Sequence, residues 1–208
     1  MKKLLTGITL IAGASLASAE NSDTNGFSYD YVEGAYSWIK FSQANDDGDA
    51  VTSNLSAYQL KASKAITSNV ILDVAYSYAT ADSLKVAGTS YDIGIKGYIS
   101  GVGIGYRFPV SEGTDLTLGV AYSQNKVKAT YQGVTQYEVS DTTYPISIGV
   151  RQKITPTVEF QGSYIREDGE NDYYLGIGFE VTKQVNLFGA INPNTFGDAY
   201  IIGVRYNY

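Results

Sequence analysis

Eight charged residues recur in one phase of an alternating pattern: Glu33, Lys61, Asp73, Arg107, Arg151, Glu159, Glu180 and Arg205. Four are positive and four negative, so they can neutralise one another or line a passage together. The 208-residue chain contains no His and no Cys. Imidazole-based acid–base chemistry, thiolate nucleophiles, disulfides and the common nitrogen and sulfur metal sites are therefore excluded. A Ser activated only by an Asp or Glu is a weak pair at neutral pH. The chain reads as non-enzymatic, with no catalytic residue and no cofactor.

Two acidic stretches invite a metal reading and do not support one. Asn45–Asp49 lacks the twelve-residue calcium-loop frame and its terminal bidentate acid, and Glu167–Glu170 is a polar loop tip. Gly101-Val102-Gly103-Ile104-Gly105 lies inside a strand with no helix after it, so it is no nucleotide loop. The net charge of −6 argues against nucleic acid, which selects basic surfaces.

The elements that must position the eight charges are strands. Leu116, Leu118, Val120 and Tyr122 alternate with Thr117, Gly119, Ala121 and Ser123, and comparable runs fill most of the chain. Ten such segments are expected: 27–41, 54–64, 70–79, 92–108, 115–125, 142–153, 158–166, 173–182, 185–192 and 199–208. Eight strands is the alternative. The first, third and fifth connections are longer and polar: Ser42–Ser53, Thr80–Tyr91 and Gln124–Asp141. The even-numbered ones are brief, as between Lys183 and Gln184. Long loops on one side and tight turns on the other describe an up-and-down antiparallel barrel that crosses the outer membrane. Pro145 is a misfit, because proline removes a ladder hydrogen bond, and it is expected at the outer rim.

Residues 1–19 read as a secretory signal peptide: Met1-Lys2-Lys3, then an apolar run from Leu4 to Ala14, then Ala17-Ser18-Ala19. Cleavage after Ala19 leaves residues 20–208 as a single barrel domain and shifts the formal charge to −8.

Two features fix which face is which. Ile104-Gly105-Tyr106-Arg107, Ile148-Gly149-Val150-Arg151, Ile177-Gly178-Phe179-Glu180 and Ile202-Gly203-Val204-Arg205 share one order, with Gly and the charge on the same face. A charge facing lipid costs about 2–4 kcal/mol at the midplane, so this phase points to a polar lumen. Aromatic residues mark both ends of the other phase. Tyr36, Trp38, Tyr76, Tyr78, Tyr122, Tyr144, Tyr164, Tyr173 and Tyr200 lie toward the loops, and Tyr106, Phe108, Phe179, Tyr206 and Tyr208 toward the turns. Two such rings suit the two membrane–water interfaces.

With these residues in view, the chain resembles the small bacterial outer-membrane β-barrel proteins of the OmpA/OmpX/Ail-like superfamily across residues 20–208. Tyr200–Tyr208, an alternating last strand that ends on an aromatic residue, looks like the signal by which the barrel-assembly machinery recognises that family. The resemblance implies outer-membrane lipid as surroundings and says little about activity. Its best-known small members have eight strands. Barrels of similar size that act as enzymes rely on a histidine, which this chain lacks.

Two readings of the lumen follow. The charges either pair into a closed structural cluster, giving a structural or surface-interaction role, or form a constriction in a narrow channel. In loops 2 and 3 the return arm Tyr91–Ile95 and the stretch Val127–Val139 still alternate in part, so they either project as ribbons toward an extracellular partner or add barrel height.

Overall fold

The computed structural model describes residues 27–44, 50–194 and 197–208. The expected signal peptide at 1–19, its cleavage site and the acidic stretch Asn45–Asp49 lie outside the described residues.

Ten antiparallel strands form a closed ring: β1 (Tyr31–Ala44), β2 (Ala50–Ala65), β3 (Val70–Ala81), β6 (Ile93–Ser111), β7 (Thr114–Tyr131), β9 (Ile146–Thr155), β10 (Val158–Glu167), β11 (Glu170–Glu180), β12 (Val185–Asn194) and β13 (Gly197–Asn207). The ring closes where β1 meets β13, with Glu33 opposite Arg205 and Trp38 opposite Tyr200. Closure leaves no free edge around the ring, which a sheet crossing hydrocarbon requires because no water is there to satisfy an unpaired backbone.

Three further strands lie outside the ring. β4 (Leu84–Val86) and β5 (Thr89–Tyr91) form a small hairpin within the second loop, and β4 touches β2 at Val51 and Thr52. β8 (Val134–Thr143) pairs with β7 alone, from Tyr131–Val134 down to Ser123–Thr143. The third loop is therefore mostly strand. β6, β7 and β8 rise together as a ribbon on one side, while β10 and β11 are joined at the same end by the two-residue turn Asp168–Gly169. Pro145 stands at the break between β8 and β9, where its carbonyl accepts the Ala121 N–H at 3.0 Å. A residue without an N–H separates the barrel strand from the ribbon strand.

The alternating phases sort as the membrane demands. The isoleucine of each four-residue repeat is roughly half exposed on the outside, and so are Leu72, Val74, Leu118 and Val120. The aromatic rings of the outer girdle touch in pairs across strands: Tyr36–Tyr58 at 5.2 Å, Tyr78–Tyr98 at 5.2 Å, Tyr122–Tyr144 at 5.8 Å and Tyr164–Tyr173 at 5.5 Å. Tyr58 and Tyr98 join the tyrosines expected there. The Tyr106 and Phe108 rings meet at 4.7 Å, tilted to each other, at the turn end.

Each repeat glycine lies close against a neighbouring group: Gly105 against Ile71, Gly149 against Thr117, Gly178 against Glu159 and Gly203 against Phe188. A Cβ on Gly178 would lie 2.9 Å from Glu159 Cγ, and one on Gly203 would overlap the Phe188 ring and sit 2.7 Å from the Gly34 carbonyl oxygen. Gly203→Ala is expected to cost about 1–3 kcal/mol in a denaturant titration, because the added Cβ meets the Gly34 backbone as well as the Phe188 ring. Gly34→Ala, with open space around its Cβ position, serves as the control.

Candidate functional site

The candidate site is the lumen. Its turn-side half holds a network of buried ion pairs. Arg205 bridges two strands' carboxylates, with Nη2 2.8 Å from Glu33 Oε2 and Nη1 3.1 Å from Glu159 Oε1. Arg151 donates to the other oxygen of Glu159 through Nη2 at 2.7 Å and Nε at 3.1 Å. Gln161 Nε2 completes that carboxylate at 2.7 Å. Arg107 meets Asp115 through Nε at 2.7 Å and Nη2 at 3.2 Å, and Lys61 lies 3.3 Å from Asp73. Arg107 and Asp115 have no measurable exposure. In such an interior an unpaired charge is very costly, so each is held by partners on neighbouring strands.

Seven of the eight expected charges meet in this network. Glu180 does not. It lies at the turn-side rim, partly exposed, 3.9 Å from Lys153. The fourth buried anion is instead Asp115, which shares the inward phase with Thr117 and faces Arg151 in register. Within this network four buried cations, Lys61, Arg107, Arg151 and Arg205, balance four buried anions, Glu33, Asp73, Asp115 and Glu159. Asp115 was detectable in principle: it stands one residue before the alternating run Leu116–Tyr122.

The second component of the network was not legible from alternation. Residues 27–30 precede β1 and carry no strand assignment, against the expectation of a strand from 27. Phe27 and Tyr29 are buried in the lumen with Ile71. The Tyr29 hydroxyl donates to Asp115, and the Ser28 carbonyl accepts from Arg151 Nη1 at 2.9 Å. The Arg151 guanidinium lies 4.7 Å from the Phe27 ring and 4.9 Å from Tyr29; Arg107 lies 5.1 Å from Tyr29, and Arg205 4.5 Å from Tyr31. Each arginine thus has a carboxylate partner and an aromatic ring within 5.1 Å, a combination that suits the planar guanidinium. Beside Glu33 and Lys61 a cavity of about 10 Å3 remains, room for about one water.

Toward the loop end the lumen becomes apolar. Ile39, Phe41, Leu55, Ala57, Ile95, Ile99 and Val127 pack together from the tall side, and Ile165, Tyr174, Ala190 and Ile201 from the short side. Polar pairs cap this layer: Asn192 donates to Asp172 at 2.8 Å and Asn125 to Thr143 at 3.2 Å. Between the charged network and this layer the buried polar side chains are short, among them Ser37, Ser77, Thr117, Ser123 and Ser147.

Glu167 sits above that layer, three residues beyond the Tyr164–Tyr173 pair and outside the spanning segment. It is 2% exposed and has no ion pair among the described residues. Burial, reinforced by Asp168, Asp172 and Asp141, pushes its carboxyl up to about 7 despite the nearby Thr143 hydroxyl. A raised carboxyl holds its proton more tightly when folded, so its cost is absent below the unfolded value near 4.5 and grows as pH rises toward 7. Stability is expected to fall by about 2–3 kcal/mol across that window. Glu167→Gln, assayed in parallel denaturant titrations, should flatten the profile.

Among the described residues no group of three or more acidic side chains could hold a metal ion. No described helix is long and apolar enough to cross a membrane, which says nothing of strands.

Known proteins place this architecture. No curated protein sequence matches the chain. Among solved structures, the transport unit of the autotransporter AIDA-I from Escherichia coli covers 100% of the chain and 98% of its own length at 12% identity, with a TM-score of 0.58. The translocator domain of the autotransporter NalP from Neisseria meningitidis covers 99% and 93% at 9% identity, with a TM-score of 0.51. Neisserial surface protein A covers 86% and 96% at 17% identity, with a TM-score of 0.48. At such identities the likeness is one of fold. The family model described as "Outer membrane protein beta-barrel domain" matches residues 7–208, and the chain belongs to that outer-membrane β-barrel family.

Proposed function

We propose that the protein is a non-enzymatic outer-membrane barrel with a closed lumen, which serves as a rigid membrane scaffold for a ribbon raised at the cell surface. One observation carries the reading. Among the described residues, paired charges and aromatic rings occupy the turn-side half of the lumen, and apolar clusters pack toward its loop end. A conducting pore needs a wet, polar path, and its charges must be free to meet a passing solute. Here the guanidinium groups are already engaged by carboxylates and rings.

The long-loop end is taken as the cell exterior, following the usual orientation of tight turns toward the periplasm. The ribbon of β6, β7 and β8 then rises above the membrane, and an extracellular partner would meet it or the β4–β5 hairpin. β13, followed directly by Tyr208, would carry the signal for assembly into the membrane. Absence of imidazole and thiol leaves the paired carboxylates without a partner for catalysis near neutral pH.

A vesicle-swelling assay tests the reading. Liposomes containing the folded protein should not swell in isosmotic arabinose or glycine beyond empty liposomes. Swelling that scales with protein content would overturn the closed lumen and leave the narrow-channel alternative.

A further inference from the structure

The outward face of the ribbon carries a basic tier at an unusual height. Tyr78 and Tyr98 pair at the outer girdle, and Tyr98 faces Lys126 in register. Two residue pairs farther out, on the same outward phase, Lys96 faces Lys128 directly. Like charges set opposite each other on adjacent strands repel, and nothing in the ring's fold requires them. Glu138, opposite Lys128 on β8, pairs with Lys126 at 2.5 Å and with Lys128 at 2.8 Å. One carboxylate thus serves two lysines, while Lys96 has no ion pair among the described residues. Three cations meet one anion on a chain whose formal charge is −6.

Beside this tier lies a groove of about 500 Å3, whose lining includes Tyr76, Tyr98, Gln124, Lys126, Ser140 and Thr142. These side chains offer hydroxyl, amide and ammonium donors. The one acid along it, Asp141, shares the inward phase of Val139 and Thr143 and accepts the Thr142 N–H at 2.8 Å. Outward lysines immediately beyond an aromatic girdle lie at the depth of lipid head groups, where each cation contributes to holding an anionic lipid.

We propose that this tier and groove bind a phosphorylated glycolipid of the outer leaflet, with Lys96, Lys126 and Lys128 holding phosphate and the Tyr98, Gln124 and Thr142 side chains meeting sugar hydroxyls. The proposal uses the orientation adopted above but not the closed lumen, so a conducting barrel would leave it standing.

Native mass spectrometry of protein folded in detergent tests it, with diphosphoryl lipid A, its fully dephosphorylated form and inorganic phosphate as probes. The diphosphoryl form is expected to remain bound about tenfold more than the dephosphorylated form, and Lys96→Gln/Lys128→Gln should abolish that preference. Glu138→Gln, which frees two lysines without removing a donor, should raise retention. Heat-modified gel mobility confirms that each variant is folded. Equal retention of both lipids, or a double variant that binds like the parent, overturns the proposal. Displacement of the lipid by millimolar inorganic phosphate also overturns it, because the site would then hold free phosphate and not a lipid head group.

Discussion

Arg205→Met should destabilise the barrel by about 3–5 kcal/mol in a urea titration against lipid vesicles. Removing one member of a buried ion network leaves its partners charged and dry, and that penalty exceeds what the intact pair contributed. Arg205 holds Glu33 at 2.8 Å and Glu159 at 3.1 Å and lies 4.5 Å from the Tyr31 ring. Glu159 keeps Arg151, so Glu33 is the carboxylate left most exposed to the loss. Adding Glu33→Gln to Arg205→Met should recover at least about 1 kcal/mol, the sign of direct coupling. Arg205→Lys should not rescue, since an ammonium cannot reach two carboxylates and lie flat on a ring together. A cost below about 1 kcal/mol for Arg205→Met would mean that water reaches the network and screens it.

The second large effect is expected at Phe27 and Tyr29. The double variant Phe27→Ala/Tyr29→Ala removes two buried rings, for which single truncations of this size cost about 3–5 kcal/mol in a core that cannot collapse. The segment precedes β1 and is held by few backbone bonds, so it can detach without unfolding the ring; a global loss nearer about 3 kcal/mol is expected. Detachment has its own signature. Arg107 and Arg151 are at most 1% exposed in the parent. They should resist phenylglyoxal there and become labelled in the double variant, as read by peptide mass mapping. Unchanged labelling would show that the aromatic segment does not cover the arginines.

The strands and their facing were largely written in the alternation. Four copies of Ile-Gly-apolar-charged fix the inward phase without reference to any partner, because period 2 leaves only two choices and lipid forbids one of them. Lys61, Asp73, Arg107, Arg151, Glu159, Arg205 and Glu33 all fall on that phase and all meet in the lumen. Glu180 has the right phase but the wrong height: at the last residue of β11 it reaches water and Lys153. Phase says which way a side chain faces and nothing about its depth.

Phe27 and Tyr29 were missed for a related reason. They continue the alternation of β1, yet no strand pairs with residues 27–30 and the segment turns inward onto the guanidinium groups. The ribbon was ambiguous for the same cause. Lys126, Lys128, Glu138 and Ser140 alternate with Val127 and Val139 as any barrel strand would, and only the unpaired far edge of β8 distinguishes a projection from added wall. Pro145 was a local cue that did carry through, because a missing N–H limits pairing wherever the chain runs. The apolar layer at the loop end was hidden by its composition: Ala57, Ala79, Ala81 and Ala199 are small enough to suit a wet lumen, and only their packing against Ile39, Phe41, Ile95 and Ile99 reveals a dry one.

Single-channel recording from residues 20–208, refolded and inserted in a planar bilayer, tests the closed lumen most directly. With insertion verified by protease protection, the parent protein should give no discrete current steps, whatever the salt. Reproducible steps of constant amplitude would contradict the account, since they require a continuous water path past Arg107, Arg151 and Arg205.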